Sequence, residues 1–181
     1  MLNKFFDVEI NPQTSHFPAT ILEIEGTVVS PLNNVLLKGT IDLIIKNEKG
    51  VYIIDFKTGG EKGVNYTVIN NLFEQNANME YAFQLAFYCY LYCKIDEDDT
   101  EIYGENIYLK SYNKAYQKEL MKDKKVVNFC NEMNDFGDLL KNKIDELKED
   151  VTFELTKDQK NCKYCDYQLI CKRTGEGVWN W

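Results

Sequence analysis

Apolar and polar positions change rhythm along the chain, and the rhythm predicts an order of elements. ATILEIEGTVV (19–29) alternates apolar and polar residues, the period of a strand with one buried face. A Pro-Leu-Asn-Asn turn follows, and VLLKGTIDLII reads as a second strand that ends at the turn Lys-Asn-Glu-Lys-Gly. VYIIDF is a short β-branched run, the composition of a strand covered on both faces. Three strands joined by such short turns predict an antiparallel meander. The stretch TGGEKGVNYTVINNLFEQNAN has no sustained period and reads as a loop with a short helix.

MEYAFQLAFYCYLYCK is apolar around most of its circumference, which predicts a buried helix. EIYGENIYLKSYN returns to strand character. From Lys125 to Asp150, Val127, Cys130, Met133, Phe136, Leu140, Ile144 and Leu147 recur at intervals of three and four, which predicts one long amphipathic helix. Strands, helix, strand, helix and a cysteine-bearing tail predict an α/β fold, a mixed β-sheet core flanked by helices. With 181 residues the chain suits a single domain over 1–181, with a core at about 20–150 and a tail at 151–181.

Composition narrows the class. No apolar run approaches the roughly 20 residues that span a bilayer, and MLNKFFDVEINPQ lacks the uninterrupted apolar stretch of a signal peptide. The expectation is a soluble, cytoplasmic protein with no membrane partner. The formal net charge of −8 counts against an autonomous DNA binder, since phosphate contacts supply much of such a protein's affinity. A larger parent protein or a partner would then hold the DNA.

The six cysteines fall into two groups. Cys89, Cys93 and Cys130 sit in apolar helical patterns and read as core residues. Cys162, Cys165 and Cys171 crowd together in CKYCDYQLIC and read as ligands, either for Zn²⁺ with a fourth group or for an iron–sulfur cluster. Unligated thiols are the plainer alternative.

The main candidate chemistry lies in the second and third strands. Asp42 interrupts an apolar strand and Asp55 ends another; buried carboxylates are expensive unless paired or bound to a metal. Mg²⁺ favours one or two carboxylates completed by water and phosphate oxygens. Lys57 is two residues after Asp55, so in an extended strand both point to one face. An ammonium there can position a water or stabilise charge on a phosphate. A plain ion pair at a strand end, with Asp42 capping a turn, would explain the same spacing. Gln84 and Tyr88 stand four apart on one helix face and can hydrogen-bond to DNA phosphates, or merely reach solvent. Glu23 and Glu25 on the first strand fit a solvated face, and His16 in TSHFPAT reads as a surface residue.

GTIDLIIKNEKGVYIIDFKTGG resembles the core of the PD-(D/E)XK nuclease superfamily, and more narrowly its RecB/AddB-like branch, which is related to Cas4. That branch has a G-x-x-D strand (here Gly39 to Asp42), a hydrophobic strand ending in D-x-K (Asp55 to Lys57), and Q-x-x-x-Y one helix later (Gln84 to Tyr88). The likeness covers about residues 20–172, and the three motifs in this order are more specific than any one alone. One departure is Leu43, where the branch often has arginine.

The resemblance implies a restriction-endonuclease-like fold. It also implies Mg²⁺ or Mn²⁺ held by Asp42, Asp55 and the backbone carbonyl of Phe56. Lys57, Gln84 and Tyr88 would complete a centre for phosphodiester hydrolysis of DNA. It further implies a helicase subunit or helicase region as partner, in recombination or repair.

In that branch three C-terminal cysteines and one upstream cysteine bind a [4Fe–4S] cluster. No cysteine precedes Cys89 here, and the upstream metal-binding histidine of the branch has no evident counterpart. The expectation is therefore a C-terminal portion of a longer protein, lacking an upstream helical part, whose full-length form would hold the cluster. Two alternatives stand beside it. One is a catalytically inactive nuclease-like module that binds DNA or a partner. The other is a small zinc-ribbon-tailed binding protein.

Overall fold

The computed structural model describes residues 16, 18–74, 79–96, 98, 100–109, 117–149, 162 and 165–171. The expected meander is present. Strands β1 (Thr20–Leu32), β2 (Val35–Lys46) and β3 (Val51–Lys57) pair antiparallel in succession. Asn33 takes a left-handed conformation (φ 53°) in the first turn, which asparagine tolerates. In the second turn the Asn47 side chain accepts from the backbone N–H of Lys49. Gly50, at φ 154°, passes so close to Glu101 that a Cβ would stand 2.3 Å from its carbonyl oxygen.

The helix predicted after the loop is α1 (Glu80–Cys93), and it returns the chain to β5 (Ile102–Tyr108), parallel to β3. β6 (Gln117–Glu119) closes a five-stranded mixed sheet in the order β1-β2-β3-β5-β6. A smaller sheet of β4 (Asn65–Tyr66), β7 (Met121–Lys122) and β8 (Lys125–Val126) was not legible in the sequence, because two-residue strands carry no period. The α/β architecture, a mixed sheet with flanking helices, is as expected.

β3 is buried along Val51–Asp55, as its β-branched run predicts. One face of the sheet packs on α1 through Ile44, Ile53, Ile102, Leu85, Ala86 and Cys89. The other carries a smaller cluster of Ile45, Tyr52, Ile54 and Ile107. Gly39 lies against α1: a Cβ there would meet Leu91 at 2.8 Å and the Tyr88 ring at 2.9 Å. The glycine thus sets how closely the helix approaches the sheet.

The long helix expected from Lys125 begins later, as α2 (Met133–Lys148). Asn128 is the reason. Its side-chain oxygen accepts from the backbone N–H of Cys130 and of Ile102, which holds Phe129–Asn131 in a 3₁₀ turn and ties it to β5. Of the expected apolar period, Val127, Phe136 and Leu140 are buried and Leu147 is exposed, so the period holds through the middle of the segment and fails at its end.

The chain divides into two compact units, Met1–Ile144 and Asp145–Trp181. In the second, the backbone N–H of Cys165 donates to the Cys162 carbonyl, and that of Cys171 donates to the Tyr167 carbonyl. No described helix is long and apolar enough to cross a membrane.

Candidate active site

Asp42 and Asp55 come together because of the β2–β3 register. The pairs Ile44–Ile53 and Leu43–Ile54 bring the next two positions, Asp42 and Asp55, opposite one another. There β2 parts from β3, and Asp42 turns its carboxylate inward to accept from the backbone N–H of Phe56 at 2.7 Å. Across from Asp42, between the pairs Ile24–Leu43 and Gly26–Ile41, Glu25 takes φ 50°. Glu23 and Glu25 are exposed, as a solvated strand face requires.

Phe56 occupies a telling position in the ladder. Lys57 turns its carbonyl to β5, where it accepts from Leu109 N–H. Polar groups alternate sides along a strand, so the N–H and C=O of Phe56 both face the Asp42 side. The backbone oxygen implied as a ligand thus points where a ligand would have to point.

Asp55 is 5% exposed. Burial pushes its carboxyl above the usual carboxylate range; Lys57 pulls it down, and the negative charge of Asp42 pushes it up again. Lys57 Nζ lies 2.7 Å from Asp55 Oδ2 as a buried ion pair. The same ammonium donates to Gln84 Oε1 at 2.5 Å and lies 4.4 Å from the centre of the Tyr81 ring. An ammonium has no acceptor, so the Gln84 atom facing it is the oxygen. Gln84 Nε2 then donates to the Tyr88 hydroxyl at 3.0 Å, which frees the hydroxyl proton to point elsewhere. Asp55, Lys57, Gln84 and Tyr88 form one continuous polar chain from sheet to helix.

Two groups here were missed in the sequence. Tyr81 is three residues before Gln84 on the same helix face, a spacing that could have shown it. Lys62, which lies 4.6 Å from the ring centre on its own approach and is ion-paired with Glu80, caps this edge.

The model of the PD-(D/E)XK nuclease superfamily matches residues 1–172. The chain belongs to this superfamily. As a PD-(D/E)XK protein it has the fold expected of the restriction-endonuclease-like class, and the superfamily is one of nucleases that use divalent metals such as Mg²⁺ and Mn²⁺. A solved structure entitled "Crystal structure of SSO0001" is similar at 17% identity and a TM-score of 0.40. The match covers 94% of this chain, which spans 65% of the length of that one. No curated protein matches.

Two carboxylates suit the divalent ion that PD-(D/E)XK nucleases use. They come together where the buried Asp55 carboxylate, in ionic contact with Lys57, feels the repulsion of Asp42, which a cation would relieve. Among the described residues no group of three or more His, Cys, Asp and Glu side chains is arranged to hold a metal. Asp42 and Asp55 supply the two carboxylates of the candidate centre. The described thiols of Cys162, Cys165 and Cys171 form no such group.

His16 corrects an expectation. It is not a surface residue: its side chain is 12% exposed and its Nε2 lies 2.5 Å from Oε2 of the buried Glu105. Its ring packs on Tyr52, 4.3 Å between centres. Tyr52 belongs to the cluster on the sheet face opposite Asp55 and α1, so His16 is remote from the acidic centre. Cys89 is buried as expected, and Cys93 Sγ lies 3.3 Å from Cys130 Sγ as a pair of free thiols.

Proposed function

We propose that this chain is a metal-dependent deoxyribonuclease domain that hydrolyses phosphodiester bonds at Asp42, Asp55 and Lys57. The observation that carries the reading is the convergence of Asp42 and Asp55 from adjacent strands, with Lys57 ion-paired on the same face. Asp42, Asp55 and the Phe56 carbonyl would hold Mg²⁺ or Mn²⁺. When bound, such an ion supplies Lewis-acid stabilisation of phosphate charge and eases deprotonation of the attacking water.

The protein's own groups have separable tasks in this reading. The backbone N–H of Phe56 fixes one Asp42 oxygen and so aims the other. Lys57, held between Asp55 and Gln84, has an N–H left to donate to a phosphate oxygen or to orient the water that attacks phosphorus as the P–O bond to the leaving sugar breaks. Gln84 accepts from the ammonium and so fixes where its remaining N–H points. Tyr88, accepting from Gln84, can donate its hydroxyl proton to the phosphate backbone.

The Q-x-x-x-Y helix supports a RecB/AddB-like setting, beside a helicase in recombination or repair. The acidic balance, −8 overall, agrees with DNA delivered by such a partner rather than captured by this chain. The same charge favours the second reading, a silent nuclease-like module that binds DNA or a partner.

Incubating linear DNA with the protein and Mn²⁺ or Mg²⁺ tests the choice. Cleavage that Lys57→Ala abolishes supports the nuclease. Binding without cleavage in either metal supports the silent module.

A further inference from the structure

Asn106 is fully buried, and neither its side-chain nitrogen nor its side-chain oxygen has a hydrogen-bond partner. A buried carboxamide with both ends unfilled is rare, because it gives up its hydration for nothing. Its position gives the reason. β3 and β5 run parallel with Asp55 directly beside Asn106, at the roughly 4.8 Å spacing of neighbouring strands. Two residues before it on the same face, a Cβ on Gly104 would touch Leu85 and Cys89 of α1. Two residues after it, Tyr108 faces Tyr81 of the same helix, 6.5 Å between ring centres. Asn106 therefore lies under α1, on the face that carries Asp55 and Lys57. Its unfilled amide lies one strand over from the Asp55 carboxylate, on the same face.

We infer that Asn106 is a positioning residue for the metal centre: its side-chain amide, unpaired here, turns to donate to the Asp55 carboxylate when a divalent cation binds and so fixes the orientation in which Asp55 meets the ion. This rests on the reading of Asp42 and Asp55 as the metal-binding pair. The row Asp42, Asp55, Asn106 then crosses three neighbouring strands: two ligands and a neutral group that orients the central one. A carboxamide suits that place where a third carboxylate would not, because it adds a donor without adding repulsion. It also divides the work on Asp55. Lys57 supplies charge from above, and Asn106 supplies direction from the side.

Leucine has nearly the shape of asparagine and no polar atoms to bury, so Asn106→Leu separates packing from positioning. The measurement is Mn²⁺ affinity of the whole chain by electron paramagnetic resonance, with no DNA present. Asn106→Leu is expected to fold with an unchanged or higher Tm and to bind Mn²⁺ about 10–100-fold more weakly, the usual effect of losing a group that orients a ligand. If leucine prevents folding, Asn106→Ser, too short to reach Asp55, serves with the same expectation. Wild-type affinity in either folded variant overturns the role of Asn106. Asp55→Asn is measured alongside and is expected to lose Mn²⁺ binding. If it binds as tightly as wild type, the metal-centre reading itself falls, and the role of Asn106 with it. If Asp55→Asn fails to bind while Asn106→Leu binds normally, only the role of Asn106 falls.

Discussion

The ammonium of Lys57 lies 2.5 Å from the side-chain oxygen of Gln84, which joins the last residue of β3 to the first turns of α1. Sheet and helix thus share the one charge that the candidate chemistry needs. Lys57→Ala removes a group that acts on the reacting phosphate and water, so single-turnover cleavage of linear DNA should fall by about 10²–10⁴-fold. Mn²⁺ affinity should change little. Gln84→Ala removes the acceptor for Lys57 and loosens the aim of its ammonium, and should show a smaller loss in the same assay.

Asp55 sets a trade between stability and function. An acid whose pKa is higher folded than unfolded holds its proton more tightly in the folded state. Its stabilising contribution is full below the unfolded carboxylate value and is lost as pH rises through the raised folded value. In chelator, Asp55→Asn should therefore melt above wild type at neutral pH, and the gap should close as pH falls below the carboxylate range. Each kcal/mol of relief is worth about 2–4 °C in a domain of this size. Adding Mn²⁺ should raise the wild-type Tm, by about 2.7 kcal/mol of stability at 100 times the Kd, and leave the variant unmoved. Thermal scans across pH with and without metal check both parts.

Gly39 supplies a third expectation. A methyl group there meets the Tyr88 ring and Leu91, both held in the packed interface, and overpacking of this kind costs about 1–3 kcal/mol. Gly39→Ala pushes α1 away from the sheet, and with it the partners of Lys57. Cleavage should drop by a larger factor than the loss of folded protein accounts for, as seen when activity is normalised to folded fraction by circular dichroism.

Much of this was legible in the chain itself. VYIIDF announced a strand buried on both faces, and Asp42 and Asp55 were legible as acids on adjacent strands. The alternation expected along β1, however, holds only from Gly26 on, with Ile21, Leu22 and Ile24 exposed. The four-residue spacing of Gln84 and Tyr88 placed them on one helix face, though not their bond to each other. What stayed hidden depended on contacts remote in sequence. Nothing local distinguishes Asn128 as a breaker of the apolar period, since its second partner, Ile102, is 26 residues away. Likewise His16 looks like a loop histidine until β5 brings Glu105 beneath it, 89 residues on.

That pairing yields a fourth expectation. His16→Ala leaves the buried Glu105 side chain without this hydrogen-bond partner, and an unsatisfied buried group costs about 1–3 kcal/mol. Chemical denaturation should show the loss as a lower midpoint with an unchanged slope. His16→Gln, which restores a donor, should recover part of it.

Glu105 and Asn106 are consecutive residues whose side chains point through opposite faces of β5. Glu105 is gripped by His16, and Asn106 borders Asp55. One peptide unit is all that separates the anchorage of the segment before β1 from the acids on the far side. The contact that holds His16 and the face that carries the acids thus meet at two adjacent residues of one strand, on opposite sides of the sheet.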